Sequence, residues 1–276
     1  MQGFSSSFLL FFYQIALGGL FAIAGTPFHE IERAFYKSTA GVLYVIGLIG
    51  LCGKSAFYWQ TLRQQFSWSL GLEAILHLSF MIAFSCYMVS LWGERPRFRA
   101  RSFAVSILSG FFGLALSSHS YYAAGVFSLE TLVYPAGFFL SALLLGSVTV
   151  GMLIGHWYLI DTGQSLEPFI RIYRFFVQTL VLQCLFFALA PLGLYFLGRP
   201  ESIAGLTRLW QRHATLMVIR VIVGQGAPLV LSWMIWRTLQ IPHTMAATGL
   251  FYIALLGVFV GEILGRQILA LTSLPF

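Results

Sequence analysis

Glu73 and His77 stand four residues apart, and so do Glu262 and Arg266. On a helix that spacing stacks two side chains on one face, so the first pair brings a carboxylate to an imidazole and the second a carboxylate to a guanidinium. Opposite charges placed this way in a low dielectric stabilise one another, where a lone charge would be neutralised. The chemistry open to Glu73 and His77 is proton transfer, because either group within hydrogen-bond reach of a hydroxyl can accept its proton. Gln14, Arg220 and Gln225 add polar groups to stretches that are otherwise apolar.

The elements that must position these residues are long hydrophobic segments. Of 276 residues, 58% are hydrophobic and only 9% charged, too little polar surface to cover a soluble globule of this size. A helix needs about 20 apolar residues to cross the hydrocarbon core. Eight such stretches follow one another, at 7–25, 39–59, 70–92, 102–121, 131–160, 171–197, 213–236 and 244–272. A membrane β-barrel would show alternating strands of about ten residues instead. The sequence therefore predicts an all-α integral membrane protein, one transmembrane helical domain over 1–276, without an internal repeat. The longest connections, such as Arg199 to Arg212, hold at most a short surface helix, and no extramembrane domain is expected to carry a soluble active site. Ala22-Ile23-Ala24 resembles a signal cleavage site, but Met1 to Phe12 contains no basic residue, so a retained first helix is expected.

Basic residues set the orientation. The net charge of +7 reads as a topology signal in a chain this apolar, and not as a nucleic-acid footprint. Arg95, Arg97, Arg99 and Arg101 crowd one loop, the strongest cytoplasmic marker present. Loops on that side carry nine basic residues, including Arg33, Lys37, Arg171, Arg174 and Arg237, against four opposite: Arg63, Arg199, Arg208 and Arg212. Both termini are then expected outside, in a bacterial-type inner membrane.

In that orientation Gln14, Glu73, His77, Arg220, Gln225 and Glu262 fall in the outer halves of the first, third, seventh and eighth predicted helices, with Arg266 nearer the surface. Such groups at bilayer depth cost several kcal/mol unless they face the bundle interior. They could act simply as interhelical hydrogen-bond partners. The functional alternative is a site, entered sideways from lipid, for a small apolar molecule with a polar head, and a quinol fits that description. Its oxidation releases two protons with two electrons; Glu73 and His77 are the expected acceptors, with Gln14, Arg220, Glu262 and Arg266 around the quinone.

Several short motifs occur in an order that resembles the membrane-anchor subunit of dimethyl sulfoxide reductase and its polysulfide-reductase-type relatives. Gln14-Ile15-Ala16-Leu17-Gly18-Gly19 is similar to that family's Q-x-x-x-G-G opening. Thr61-Leu62-Arg63, then Ser69 and Glu73, is similar to its P-L-R and S-x-E region. Pro135-Ala136-Gly137-Phe138-Phe139-Leu140, Leu216-Met217 with Arg220, and Gly261-Glu262-Ile263-Leu264-Gly265-Arg266 resemble three further stretches, the last being G-E-x-x-G-R. The resemblance implies a bundle without a resident cofactor that binds menaquinol or ubiquinol near its outer face. It also implies exchange of electrons with an iron–sulfur subunit, itself joined to a larger redox catalytic subunit. In that family a histidine precedes P-L-R; here Tyr58 stands near its place, and His77 lies one turn beyond the matching Glu73.

Two other classes compete. Paired histidines on neighbouring helices can ligate haem b, and His77 with His119 toward one side, and His29 with His156 toward the other, would suit two haems. A transporter would show broken helices in two related halves around a midplane site. Gly224-Gln225-Gly226-Ala227-Pro228 is one such break, and it has no counterpart in the other half. Cys52, Cys86 and Cys184 lie singly, which argues against an iron–sulfur cluster, a structural zinc or a covalently attached haem within the chain.

Overall fold

In hydrocarbon no water is present to satisfy backbone N–H and C=O groups, so long apolar segments close their hydrogen bonds internally as helices. The structure, a computed structural model, describes residues 4–26, 28, 30–64, 67–122, 128–161, 163–241 and 243–276. The elements are α1 Phe4–Ala24, α2 Arg33–Gln64, α3 Trp68–Ser90, α4 Pro96–His119, α5 Leu129–Ile160, α6 Glu167–Leu197, α7 Pro200–Arg212, α8 Ala214–Val221, a π-helical turn Ile222–Gly226, α9 Ala227–Gln240 and α10 Thr244–Thr272. No strand occurs among the described residues. Among the described residues eight spans are long and apolar enough to cross a bilayer, the seventh being the composite Ala214–Gln240. This is an all-α multi-pass membrane protein.

Hydropathy locates the hydrocarbon core, whereas helices continue into the headgroup layer. For that reason α2 starts at Arg33 rather than 39 and α6 at Glu167 rather than 171, with Arg33, Lys37, Arg171 and Arg174 placed where long basic side chains reach water. The expected short surface helix between Arg199 and Arg212 is α7. The Gly224–Pro228 break is a widened turn: the Ala227 N–H bonds back to Ile222 O, which accommodates the ring and missing N–H of Pro228 without ending the helix.

α1 and α5 form the centre. In each, 72% of the apolar window is buried, against 22–39% in the other spans. Their contact is close because Gly18 and Gly146 bear no Cβ; one added at Gly18 would overlap the Ala142 carbonyl, and one at Gly146 the Gly18 backbone. Small residues at a crossing let backbones approach, which is how helices associate in lipid without a hydrophobic driving force between them.

Contacts near the helix ends define two faces. Ser7 meets Tyr121 at 3.2 Å, and the Arg199 N–H donates to Glu130 at 2.7 Å, tying the start of α1, the end of α4, the start of α5 and the end of α6 to one face. Arg171 approaches Glu30 at 3.9 Å on the opposite, arginine-rich face.

Candidate functional site

The polar residues singled out above gather into two buried clusters on the Ser7 side of the bundle, on either flank of α1. In the first, Glu73 Oε1 accepts from Lys54 Nζ (2.6 Å), Tyr58 OH (2.9 Å) and Ser117 Oγ (2.7 Å). The same two hydroxyls bracket His77, Tyr58 OH lying 2.7 Å from Nδ1 and Ser117 Oγ 3.2 Å from Nε2, while the Tyr13 ring packs on the imidazole at 4.1 Å between centroids. Thus α1 to α4 each supply a member.

Proton accounting makes this network unusual. A hydroxyl carries one proton; if Tyr58 and Ser117 both give theirs to Glu73, each can only accept from His77. Neutral imidazole has one N–H, so both contacts can be made in full only when the ring carries both protons. With neutral His77 one hydroxyl must turn toward the ring. Tyr58 and Ser117 thus bridge Glu73 and His77, an arrangement in which a proton accepted at either group can be relayed to the other.

The second cluster centres on Glu262, which is buried with Arg220 and Arg266. Arg220 Nη2 lies 3.3 Å from Glu262 Oε1, and Arg266 Nη2 3.5 Å from Oε2, so the four-residue spacing does pair Glu262 with Arg266. Gln183 donates to Glu262 Oε1 at 2.7 Å and accepts from Gln225 at 2.9 Å. Arg220 also donates to the Gly261 carbonyl, and its guanidinium lies 4.8 Å from the Phe187 ring centroid; Arg266 lies 5.1 Å from that of Phe138. Gly265 has a direct role, since a Cβ there would strike the Arg220 guanidinium. Arg220 Nε, Arg266 Nε and Nη1, and Glu262 Oε2 are buried without a hydrogen-bond partner.

Gln14 lies between the clusters. Its amide donates to the Phe138 carbonyl at 2.7 Å, and its Oε1 is buried and unpartnered. Glu73 and His77 thus belong to one cluster, and Arg220, Glu262 and Arg266 to the other.

A groove of about 950 Å³ opens toward lipid between α6, α7 and α8. Phe187, Pro191, Leu206, Trp210 and Val221 are among its walls, and Cys184 lies in it too. The Cys184 thiol donates to Gln225 Oε1 at 3.6 Å, and thiols are weak donors. From the groove a chain runs Cys184, Gln225, Gln183, Glu262, while Phe187 separates the groove from Arg220.

Reading the sequence missed Lys54, Ser117, Gln183 and Ser141, whose hydroxyl accepts from Gln183 at 3.3 Å and from Arg266 at 3.5 Å. Lys54 meets Glu73 across two helices and 19 positions of chain, a separation with no local signature. Its only signal was a lone lysine in an apolar run. Ser117 and Ser141 look like any small helix-contact serine.

Of the alternative haem ligands, His77 has both ring nitrogens engaged by hydroxyls. His119 and His156 are exposed at opposite faces, His156 against Tyr252 OH at 3.3 Å. His29 lies outside the described residues. No group of three or more His, Cys, Asp or Glu side chains suited to a metal occurs among the described residues. No protein-family profile matches the chain, and no curated protein matches it.

Proposed function

We propose that this chain is the quinone-interacting membrane subunit of a respiratory oxidoreductase. It exchanges electrons between menaquinol or ubiquinol and an iron–sulfur partner, which is joined to a larger redox catalytic subunit. The observation carrying this reading is a lipid-open apolar groove joined through Cys184, Gln225 and Gln183 to buried, incompletely hydrogen-bonded charges, with Phe187 standing between the groove and Arg220. An isoprenoid amphiphile needs an apolar channel for its tail and polar groups for its head. The unpartnered Arg266 N–H groups and Gln14 Oε1 fit a ring bearing both acceptor and donor oxygens.

When bound, the quinol supplies two electrons and two protons. Arg220 and Arg266 would hold an oxygen of the ring, their guanidinium groups fixed by Glu262. Glu73 and His77, in the cluster on the other side of Gln14, would take up the protons released, with Tyr58 and Ser117 bridging the two groups. The arginine-rich face is cytoplasmic by the positive-inside rule, so both clusters lie toward the outside of a bacterial-type inner membrane.

Glu73→Gln and Arg266→Ala in the assembled complex test the reading. Quinol-dependent electron transfer is expected to fall by about tenfold or more, roughly what a positioned proton acceptor or charge-assisted hydrogen bond contributes. Unchanged transfer with assembly intact would overturn it.

A further inference from the structure

A second pocket, of about 320 Å³, lies at the Ser7 face and does not belong to the clusters above. α7 separates it from the lipid-open groove. Leu206, Thr207, Trp210 and Gln211 border the groove, whereas Glu201, Ala204, Gly205 and Arg208, at one helical spacing along α7, border the pocket.

Its chemistry centres on Glu130, in the first turn of α5 and only 1% exposed. Glu130 Oε1 serves the fold, since it accepts the Arg199 N–H at 2.7 Å and the Ser202 hydroxyl at 2.9 Å, fixing the corner between α6 and α7. Oε2 is buried and has no partner. A carboxylate oxygen in that state carries charge and desolvation that a cationic donor would offset.

The walls suit such a donor. Tyr121, Tyr122 and Tyr134 line the pocket, with the rings of Tyr122 and Tyr134 at 4.8 Å between centroids. Aromatic faces beside a carboxylate attract ammonium groups. Arg208, exposed where it lines the pocket, offers a guanidinium to an anion. The volume is at the lower end of the range for ligand sites, about 300–1,000 Å³, and suits a headgroup better than a whole lipid. The pocket lies beyond the end of α4 and beside the ends of α6 and α10, the depth at which Tyr and Trp meet lipid headgroups.

We infer that this pocket binds a zwitterionic phosphoethanolamine group, its ammonium on Glu130 among the tyrosines and its phosphate on Arg208, presented by a membrane phospholipid. The inference rests on Glu130 and α7 and is independent of the quinone reading.

Native mass spectrometry of the full chain, released from micelles and titrated with phosphatidylethanolamine or phosphatidylglycerol, tests it. Phosphatidylethanolamine is expected to bind about tenfold tighter, the contribution of one charge-assisted hydrogen bond. Glu130→Gln keeps an oxygen for Arg199 and Ser202 but puts an amide where the unpartnered oxygen was, so it is expected to abolish that preference at an unchanged melting temperature. If melting falls, the exposed Arg208→Ala decides, because it is expected to weaken phosphatidylethanolamine binding without touching the core. Soluble glycerophosphoethanolamine identifies the source: failure to compete at millimolar concentration supports the lipid, and competition equal to the lipid's overturns it. Equal binding of the two lipids by the wild-type chain, or no effect of Arg208→Ala, would also overturn the inference.

Discussion

Around Glu73 one carboxylate faces one ammonium, and hydroxyls and a ring complete its shell; around Glu262 one carboxylate faces two guanidinium groups, and four polar atoms stay without a hydrogen bond. With neutral His77 the first cluster is balanced in charge, while the second carries an excess of one positive charge. A fully satisfied polar network rigidifies its surroundings, whereas a partly satisfied one leaves positions for a ligand or water. Under the proposed function the difference divides the roles: the Glu262 side, linked to the lipid-open groove through Gln183 and Gln225, would hold an electron-rich oxygen, and the Glu73 side would take up protons.

Removing the central carboxylate from each cluster gives the largest contrast. Glu262→Leu leaves Arg220 and Arg266 buried without a counter-charge and is expected to cost about 3–5 kcal/mol, seen as lost assembly or a sharply lower melting temperature. Glu73→Leu is expected to cost less, because Lys54 is a single long side chain at 6% exposure that can reach toward the interface. Equal losses would remove the distinction between the clusters.

The pairing of Lys54 with Glu73 is sharpened by a double-mutant cycle. Lys54→Met and Glu73→Gln are each expected to destabilise, and together to cost less than their sum by about 1–3 kcal/mol. Additive effects would mean that the 2.6 Å contact contributes no coupling.

A smaller effect separates groove from core. Ala188→Trp projects into the groove from its exposed wall, so quinone-analogue affinity is expected to fall about tenfold while stability changes by less than about 0.5 kcal/mol. Gly71→Trp, on the other flank, where an added Cβ meets open space, is expected to change neither.

The smallest expected signal bears on His77. With both its ring nitrogens engaged and His119 and His156 at opposite faces, a dithionite-reduced minus oxidised spectrum of the purified chain is expected to be flat. Sharp haem b bands would reassign these histidines.

The spans were legible because hydrophobic length is a local property, and the Glu262–Arg266 pair because four-residue spacing fixes a shared helix face. The partners of each cluster were not. Lys54, Ser117 and Gln183 reach Glu73 or Glu262 from other helices, and which helices become neighbours depends on the α1–α5 crossing at Gly18 and Gly146. The sequence could likewise mark Gly224–Pro228 as a break but not as a π-helical turn, since the choice depends on how the freed carbonyls are satisfied after packing. The groove had no sequence signal at all, being the gap that α7 leaves between α6 and α8.

The most direct test of the quinone assignment is equilibrium binding of a fluorescence-quenching menaquinone or ubiquinone analogue to the wild-type chain in lipid nanodiscs. A quinone site predicts saturable binding that a second quinone displaces and the isoprenoid tail alone does not. Quenching that rises linearly without saturation, or that the tail displaces equally well, would contradict it.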